Sequence, residues 1–177
     1  SVIIPTQYTS IYKEGGKYLV ENDSLKGIVN AYGSTVIPCK YNTIEYEDGV
    51  YYVSAGGKYG IYNTYGSTIL PCRYSSIRKE GRQYLVENNG LQGIVNTYGS
   101  TIIPCRYNKI QQEGNIYYVT ANGKKGIFNR YGSTIIPCQY DEIISLGHRY
   151  IVKRDKKFGV YNQYGSTILP CQFQKIE

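Results

Sequence analysis

The sequence predicts an all-β protein, an open tandem array of five three-stranded β-hairpin repeats of 33 residues each. Three observations predict it. Proline recurs at a fixed interval, runs of β-branched and aromatic residues alternate with turns rich in Gly and Asn, and no window shows helical periodicity. We expect β-solenoid-like or superhelical stacking, in which each repeat packs only on its neighbours.

Proline sets the period. The chain has six prolines, each 33 residues from the next: Pro5, Pro38, Pro71, Pro104, Pro137 and Pro170. Cysteine follows the last five, and Thr6 takes that position after the first. A period of a few tens of residues is the signature of solenoids, propellers and arrays. No unit carries an insertion, so no loop is long enough to indicate a grafted active site.

The first strand of each repeat is represented by residues 84–86, Tyr-Leu-Val. Its outer residues are Tyr and Val in all five copies. Because alternate side chains of a strand point to opposite faces of a sheet, we expect this pair to face the core. A polar turn then leads to the second strand, residues 93–96.

A tight hairpin turn follows at Asn96 and Gly99, since Asn favours the start of a type I turn and Gly takes the left-handed conformation that closes it. The third strand is residues 100–103. We expect Pro104 to end its pairing, because proline has no backbone donor. Residues 105–110 are expected to connect one repeat to the next.

We expect a single repeat domain spanning residues 1–177, with no linker and no membrane span. Because the chain lacks methionine, it is expected to be a segment of a larger protein. Residues 1–11 and 167–177 are the same part of the repeat. A closed ring would need complementary ends, so this duplication favours an open array over a closed propeller-like ring.

The formal net charge is +7 and the pI is near 9.0. Much of the excess forms a basic patch near the end of the sequence: Arg149, Lys153, Arg154, Lys156 and Lys157. Such a patch can bind nucleic acid or an anionic surface. Alternatively it is a solvated turn region whose lysines serve solubility.

The five cysteines occur once per repeat, without a C-x-x-C pair. They could form disulfides or bind metal, but we expect small, half-buried thiols. The only histidine, His148, is expected in a turn, and no catalytic triad, carboxylate pair or phosphate loop is evident. The sequence therefore predicts no enzyme activity, no metal and no cofactor. An odd number of cysteines and the lack of a signal pattern favour the cytoplasm.

Fifteen of the 22 tyrosines occupy three positions of the repeat. Two of these positions are expected in the core, with each hydroxyl reaching an edge or a backbone group. The first comprises Tyr8, Tyr41, Tyr74, Tyr107 and Tyr140. The second comprises Tyr18, Tyr51, Tyr84, Tyr117 and Tyr150.

The third position lies in the hairpin turn and comprises Tyr32, Tyr65, Tyr98, Tyr131 and Tyr164. We call these five the turn tyrosines. Exposed in a row, they could stack bases or sugars, or anchor a protein partner. The alternative is that each ring lies back over the neighbouring hairpin and shields its edge.

One further pattern is a Gly-aliphatic-x-Asn turn with a later Gly, then an aliphatic pair, Pro, an aromatic and Ile. In the fourth repeat it comprises Gly126, Ile127, Asn129, Gly132, Ile135, Ile136, Pro137, Tyr140 and Ile143. This unit resembles the WG repeat family, found mainly in bacterial proteins. The Trp that names the family is absent, and its position holds Lys26, Tyr59, Gln92, Lys125 and Phe158. The resemblance implies an all-β tandem array with no general catalytic activity and no single ligand.

We therefore expect a non-catalytic recognition or scaffold array that binds a protein partner or other segments of its parent chain. The predicted binding residues are the turn tyrosines and a basic column, Lys40, Arg73 and Arg106. Two alternatives remain open. One is binding of nucleic acid or glycan through the tyrosines and the basic patch, and the other is a purely structural spacer.

Overall fold

The computed structural model describes residue 4 and residues 7–175, without the side chain of Glu14. Pro5 and Thr6, which begin the proline pattern, lie outside these residues. Within the described residues there is no helix, and 20 strands form five antiparallel sheets of four strands each, none closed into a barrel. The predicted all-β tandem array is confirmed.

Each sheet is built from four consecutive strands, paired in chain order. The first strands are β1 (Ser10–Glu14), β5 (Thr43–Glu47), β9 (Ser76–Glu80), β13 (Lys109–Glu113) and β17 (Glu142–Leu146). The second strands are β2 (Lys17–Asn22), β6 (Val50–Ala55), β10 (Gln83–Asn88), β14 (Ile116–Ala121) and β18 (Arg149–Arg154). The third strands are β3 (Leu25–Asn30), β7 (Lys58–Asn63), β11 (Leu91–Asn96), β15 (Lys124–Asn129) and β19 (Lys157–Asn162). The fourth strands are β4 (Thr35–Tyr41), β8 (Thr68–Tyr74), β12 (Thr101–Tyr107), β16 (Thr134–Tyr140) and β20 (Thr167–Phe173).

The prediction of three strands per repeat is wrong, because the connecting segment contains a fourth. In the fourth sheet this strand is β13, which pairs with β14 in a regular antiparallel register. Only Ile110 of its five residues is buried. A short edge strand with one apolar residue lacks the alternation that identifies strands from sequence, so tertiary pairing decides its conformation.

The prediction that proline ends the last strand is also wrong, since β12 continues through Pro104 to Tyr107. Two features permit this. The strand lies at the edge of its sheet, and its register with β11 is interrupted between the Gln92–Tyr107 and Ile94–Ile103 pairs. Proline is tolerated at such edges and bulges because no ladder hydrogen bond is required of it there.

A glycine of the third strand lies opposite this bulge. A Cβ atom on Gly93 would be 2.7 Å from both the Cα and the backbone nitrogen of Cys105. The other four sheets have the same close approach at Gly27, Gly60, Gly126 and Gly159. Only glycine fits here, so the bulged Pro-Cys pair and the opposing glycine form one structural unit.

The hydrophobic core lies between successive sheets. Ile28, Ile37 and Tyr41 of the first sheet pack against Tyr51 and Val53 of the second. The fourth and fifth sheets repeat this arrangement, with Ile127, Ile136 and Tyr140 against Tyr150 and Val152. Each of these residues is at most 7% exposed. The Tyr-x-Val pair of the second strand therefore faces the core, as predicted.

The hairpin turn of one sheet also packs against the backbone of the sheet before it. Gly66 has a φ of +88°, and a Cβ atom there would lie 2.2 Å from the carbonyl oxygen of Val36. Gly99 meets Ile69 in the same way, Gly132 meets Ile102, and Gly165 meets Ile135. Glycine is therefore required at this position for two reasons: the backbone is left-handed, and the preceding sheet leaves no space for a side chain.

Backbone contacts group the chain into two compact units. The first runs to Asn88 and includes Asn96–Ser100; the second comprises Asn89–Val95 and the chain from Thr101 onward. The expectation of a single domain spanning residues 1–177 stays a prediction.

We predict that Gly66→Ala destabilises the protein far more than Gly49→Ala. Both glycines have positive φ, but the space around Gly49 is open. Gly49→Ala should cost about 1 kcal/mol for the left-handed conformation alone. Gly66→Ala should cost about 3–4 kcal/mol, because overpacking against Val36 adds to that strain. Urea unfolding of the two variants checks this, and equal losses would contradict the packing argument.

Candidate functional site

The turn that carries each exposed tyrosine is organised by the asparagine two residues before it. In the second sheet, the side-chain oxygen of Asn63 accepts hydrogen bonds from the backbone N–H groups of Tyr65 and Ser67. Gly66 donates to the carbonyl of Asn63 at 3.1 Å, and Asn63 donates to that of Ser67 at 2.9 Å. The two side-chain bonds recur in all five sheets at 2.9–3.0 Å. The predicted hairpin turn is confirmed.

The turn tyrosines project into solvent. Their exposed fractions are 88% for Tyr32, 89% for Tyr65, 88% for Tyr98, 74% for Tyr131 and 79% for Tyr164. At such exposure the rings do not lie back over a neighbouring hairpin, so the shielding alternative is not what the structure adopts. Each ring is displayed from a backbone that four hydrogen bonds hold in place.

Within the first unit, the turns carrying Tyr32, Tyr65 and Tyr98 belong to successive sheets. Gly66, next to Tyr65, packs on Val36, just after the turn of Tyr32. Gly99, next to Tyr98, packs in the same way on Ile69. The three rings are therefore presented at successive, structurally linked turns.

The other two tyrosine positions are buried, as predicted. Tyr41, Tyr74, Tyr107 and Tyr140 are 3–5% exposed, and Tyr51, Tyr84, Tyr117 and Tyr150 are 2–7% exposed. Tyr8 and Tyr18, at the start of the chain, are half-buried. These positions support the core, and the turn position alone is displayed.

Two buried tyrosines hydrogen-bond to a tyrosine of the next sheet. The hydroxyls of Tyr41 and Tyr62 lie 2.7 Å apart, and so do those of Tyr140 and Tyr161. The rings meet edge to face, with centroids 5.9 Å apart in both pairs. Burial, reinforced by the hydrogen bond to Tyr161, raises the pKa of Tyr140 to about 12. Burial likewise raises the pKa of Tyr41.

The basic column does not join the turn tyrosines. Lys40, Arg73 and Arg106 each lie over the ring of the buried tyrosine that follows them, 5.3–5.5 Å from its centroid. They stand near the end of the fourth strand, whereas the turn tyrosines precede its start. At the usual rise per residue this separation is roughly 15 Å. The two groups are close in the sequence, so their separation became evident only when the fourth strand was seen to extend between them.

The basic patch is divided and includes acidic groups. Arg149 begins β18, while Lys153 and Arg154 end it, and Lys156 and Lys157 lie at the following hairpin. The ammonium of Lys153 is 3.8 Å from a carboxylate oxygen of Glu142. Arg154 lies over the ring of Tyr140, 5.8 Å from its centroid. The patch is therefore a mixed-charge hairpin with Arg149 at its far end.

Asp141 adds a further negative charge beside this hairpin. Its carboxylate accepts a hydrogen bond from the backbone N–H of Asp155 at 3.0 Å and pairs with Lys124. The hydrogen bond from Lys124 lowers the pKa of Asp141, so the carboxylate is charged at neutral pH.

Sequence reasoning missed several contacts at the turns, among them that of Arg130, whose guanidinium lies 5.0 Å from the ring centroid of Tyr131. Lys17 donates a hydrogen bond to the carbonyl of Thr64, next to Tyr65, and lies over the ring of Tyr51. Together with Tyr46 and Gly16 these residues line a crevice of about 270 Å³. No sequence signal marks Lys17, because the same position holds Val50, Gln83, Ile116 and Arg149 in the other repeats.

The cysteines are half-buried free thiols, as predicted. Each donates a hydrogen bond to the carbonyl of the residue 14 positions earlier, at 2.9–3.2 Å. These bonds tie the bulge to the start of the third strand. Among the described residues, no three His, Cys, Asp or Glu side chains are placed to hold a metal ion. That same part of the chain also contains no helix capable of crossing a membrane.

A family comparison identifies one of the repeats. Residues 27–59 match the family described as "WG containing repeat". This stretch is similar to a WG repeat. The match is one proline period long, and it confirms the resemblance drawn from the sequence. The turn and the Pro-Cys bulge of this stretch recur in the other units, and the described residues form five four-stranded sheets, so the chain is a tandem β-repeat scaffold.

A comparison with curated protein sequences finds no match. Among solved structures, the computationally designed Ika8 protein is 10% identical, with a TM-score of 0.33, over 91% of this chain and 60% of that one. Hsv2p of Kluyveromyces lactis is 9% identical, with a TM-score of 0.33, over 86% and 59%. The AfRom2 CNH domain is 10% identical, with a TM-score of 0.33, over 94% and 71%. The chain thus spans about three fifths of the first two structures. At this identity and TM-score the similarities carry no functional inference.

We predict that Asn63→Ala destabilises the protein by about 1 kcal/mol, because two backbone N–H groups lose their acceptor in a partly solvated turn. Asn63→Asp keeps the acceptor oxygens and should cost less than half as much. Urea unfolding of both variants measures the difference. Equal losses would show that the side-chain acceptor does not hold the turn.

We predict that stability falls as the pH rises from about 10 towards 12. The pKa of Tyr140 is about 12 in the folded protein, against about 10 for an unfolded tyrosine. The folded state therefore holds this proton more tightly, and its stabilising contribution is complete below pH 10 and lost above it. The free energy of unfolding should fall less steeply with pH in Tyr140→Phe than in the wild type. Urea unfolding at pH 8, 10 and 11 tests this, with Tyr164→Phe as a control at an exposed position.

Proposed function

We propose that this WG repeat scaffold is a non-catalytic recognition array that binds a protein partner through its turn tyrosines. One observation carries the proposal: five tyrosines, 74–89% exposed, stand at the same position of the same hydrogen-bonded turn. Large exposed aromatic side chains have no role in the core of the protein that displays them. Tyrosine is among the residues that dominate binding energy at protein interfaces.

The turn geometry suits recognition for an energetic reason. A tyrosine presents a large amphipathic surface while losing the freedom of only two side-chain torsions on binding. The asparagine bonds fix the backbone before the partner arrives, so little ordering cost remains to be met on association. Several such anchors on one chain raise the overall affinity further, because the later contacts form within the complex.

The charges favour a protein partner over nucleic acid. A phosphate backbone requires a continuous run of cations. Here Glu142 pairs with Lys153 of the fifth sheet, and Asp141 pairs with Lys124 of the fourth. Lys40, Arg73 and Arg106 lie over buried rings at the far end of the fourth strand. Nucleic acid, glycan and a purely structural spacer remain the alternatives that an experiment must separate.

The experiment compares capture of partners by three forms of the full chain. The wild type stands beside a turn variant, Tyr32/Tyr65/Tyr98→Ala, and a matched control, Tyr12/Tyr46/Tyr59→Ala. The control removes three other exposed tyrosines, 46–59% accessible, from the same compact unit. We expect the wild type and the control to retain a protein from nuclease-treated lysate of the source organism. The amount of this protein captured by the turn variant should be at least tenfold lower.

Other outcomes would contradict the proposal. Capture that disappears with nuclease and weakens steeply with salt would indicate nucleic acid, whereas a salt-insensitive ligand that survives protease treatment would indicate a glycan. Equal capture by all three forms would show that the turn tyrosines do not bind. Circular dichroism of the three forms establishes that they are equally folded.

A further inference from the structure

The two faces of each sheet have different roles at the junctions between sheets. We call the face that bears Ile127, Ile136 and Tyr140 in the fourth sheet the leading face. The face that bears Tyr150 and Val152 in the fifth sheet, and packs on that leading face, is the rear face. The junction of the first and second sheets uses the equivalent residues. A junction is therefore a leading face covered by the rear face of the following sheet.

The leading face of the fifth sheet has no such cover within the described residues. Leu169 is 37% exposed, whereas its counterparts Ile37, Leu70, Ile103 and Ile136 are 0–1% exposed. Phe173 is 38% exposed, against 3–5% for its counterparts Tyr41, Tyr74, Tyr107 and Tyr140. The same side chains that form the core elsewhere are thus left in contact with water.

The backbone carbonyl on which a turn glycine packs at each junction, which we call the seat, is also present on this face. In the other four sheets the residue at this position is Val36, Ile69, Ile102 or Ile135, and a turn glycine of the following sheet packs on its carbonyl. The fifth sheet has Ile168 at this position, and its side chain is 44% exposed. A turn of the same geometry would find the same seat.

The first strand of the fifth sheet extends this apolar surface. Ile144 and Leu146 are 42% and 57% exposed. The second sheet has Glu45 and Glu47 at these positions, and the fourth has Gln111 and Glu113. Exposed apolar surface of this extent on one face is typical of an interaction site.

We propose that the leading face of the fifth sheet docks the rear face of a further WG repeat, a four-stranded sheet that is not among the five described here. The occupant would present a Tyr-x-Val second strand to Leu169 and Phe173, and its turn glycine would rest on the carbonyl of Ile168. The argument is continuity, because the face repeats the residues and the seat that bind a rear face at the other junctions. This docking is independent of the turn tyrosines.

A second copy of this chain does not fit the site equally well. The rear-face valines Val20, Val53, Val86, Val119 and Val152 are all 0–1% exposed. The rear faces of the last four sheets are therefore covered, and that of the first sheet is covered at Val20 and half-buried at Tyr18, so a second copy offers no fully open rear face to the fifth sheet. The occupant must be a repeat whose rear face is still open.

The test adds one repeat to the full chain. A copy of residues 145–177 is fused after Glu177, which continues the 33-residue period. The readout is hydroxyl-radical footprinting of the original Phe173. We expect its oxidation rate to fall at least fivefold, to the level of Tyr140, its buried counterpart. Two controls carry the same extension: one has Tyr150→Ser and Val152→Ser within the appended copy, and the other has Leu169→Lys in the original sheet. Both should keep Phe173 reactive.

Three results would overturn the proposal. The first is an appended repeat that is protected from hydrogen exchange while Phe173 stays as reactive as in the unextended chain. The second is an appended repeat that gains no protection, because the face would then fail to support the type of sheet proposed. The third is protection of Phe173 in the unextended chain that rises with concentration, since the occupant would then be a second copy. Loss of the turn tyrosines changes none of these readouts, so failure here is distinct from failure of the proposed function.

Discussion

The structure depends on the contact between a turn glycine and the backbone of the preceding sheet. Gly66 approaches the carbonyl of Val36 so closely that a side-chain carbon would stand 2.2 Å from the oxygen. The same residue adopts a left-handed backbone that closes the hairpin. One position therefore fixes both the shape of a turn and how closely the next sheet approaches. A longer turn could not make this contact. This constraint explains why no repeat carries an insertion.

This constraint separates the roles of neighbouring residues in the turn. The side chain of Asn63 accepts the backbone hydrogen bonds, and Gly66 packs on the preceding sheet. The side chain of Tyr65, between them, takes part in neither contact and projects into solvent. Neither the turn hydrogen bonds nor the contact with the preceding sheet requires a tyrosine side chain here, yet all five repeats have one. The proposed recognition role explains why an exposed tyrosine recurs at every equivalent position.

Much of the fold could be predicted, because the repeat presents each local signal five times. The two central strands, the Asn-Gly turn and the two buried tyrosine positions follow from β propensity, turn chemistry and alternation. The first strand of each sheet could not be found, because Ile110 is the sole buried residue of β13. Continuation through Pro104 was also hidden, since it depends on the edge position of β12 and on the space opposite Gly93. Sequence reasoning grouped Lys40 with the turn tyrosines, whereas the fourth strand places it over the ring of Tyr41, away from them.

The sequence by itself determined the period, the all-β class and the residues of each turn, because these depend on backbone preferences within a few positions of the chain. Only the tertiary structure decided that the turn tyrosines project into solvent and do not lie over a neighbouring hairpin, since that depends on how the next sheet packs. It alone also revealed the open face at Leu169. That residue occupies the same position of the repeat as Leu70, and the two differ only in whether another sheet covers them.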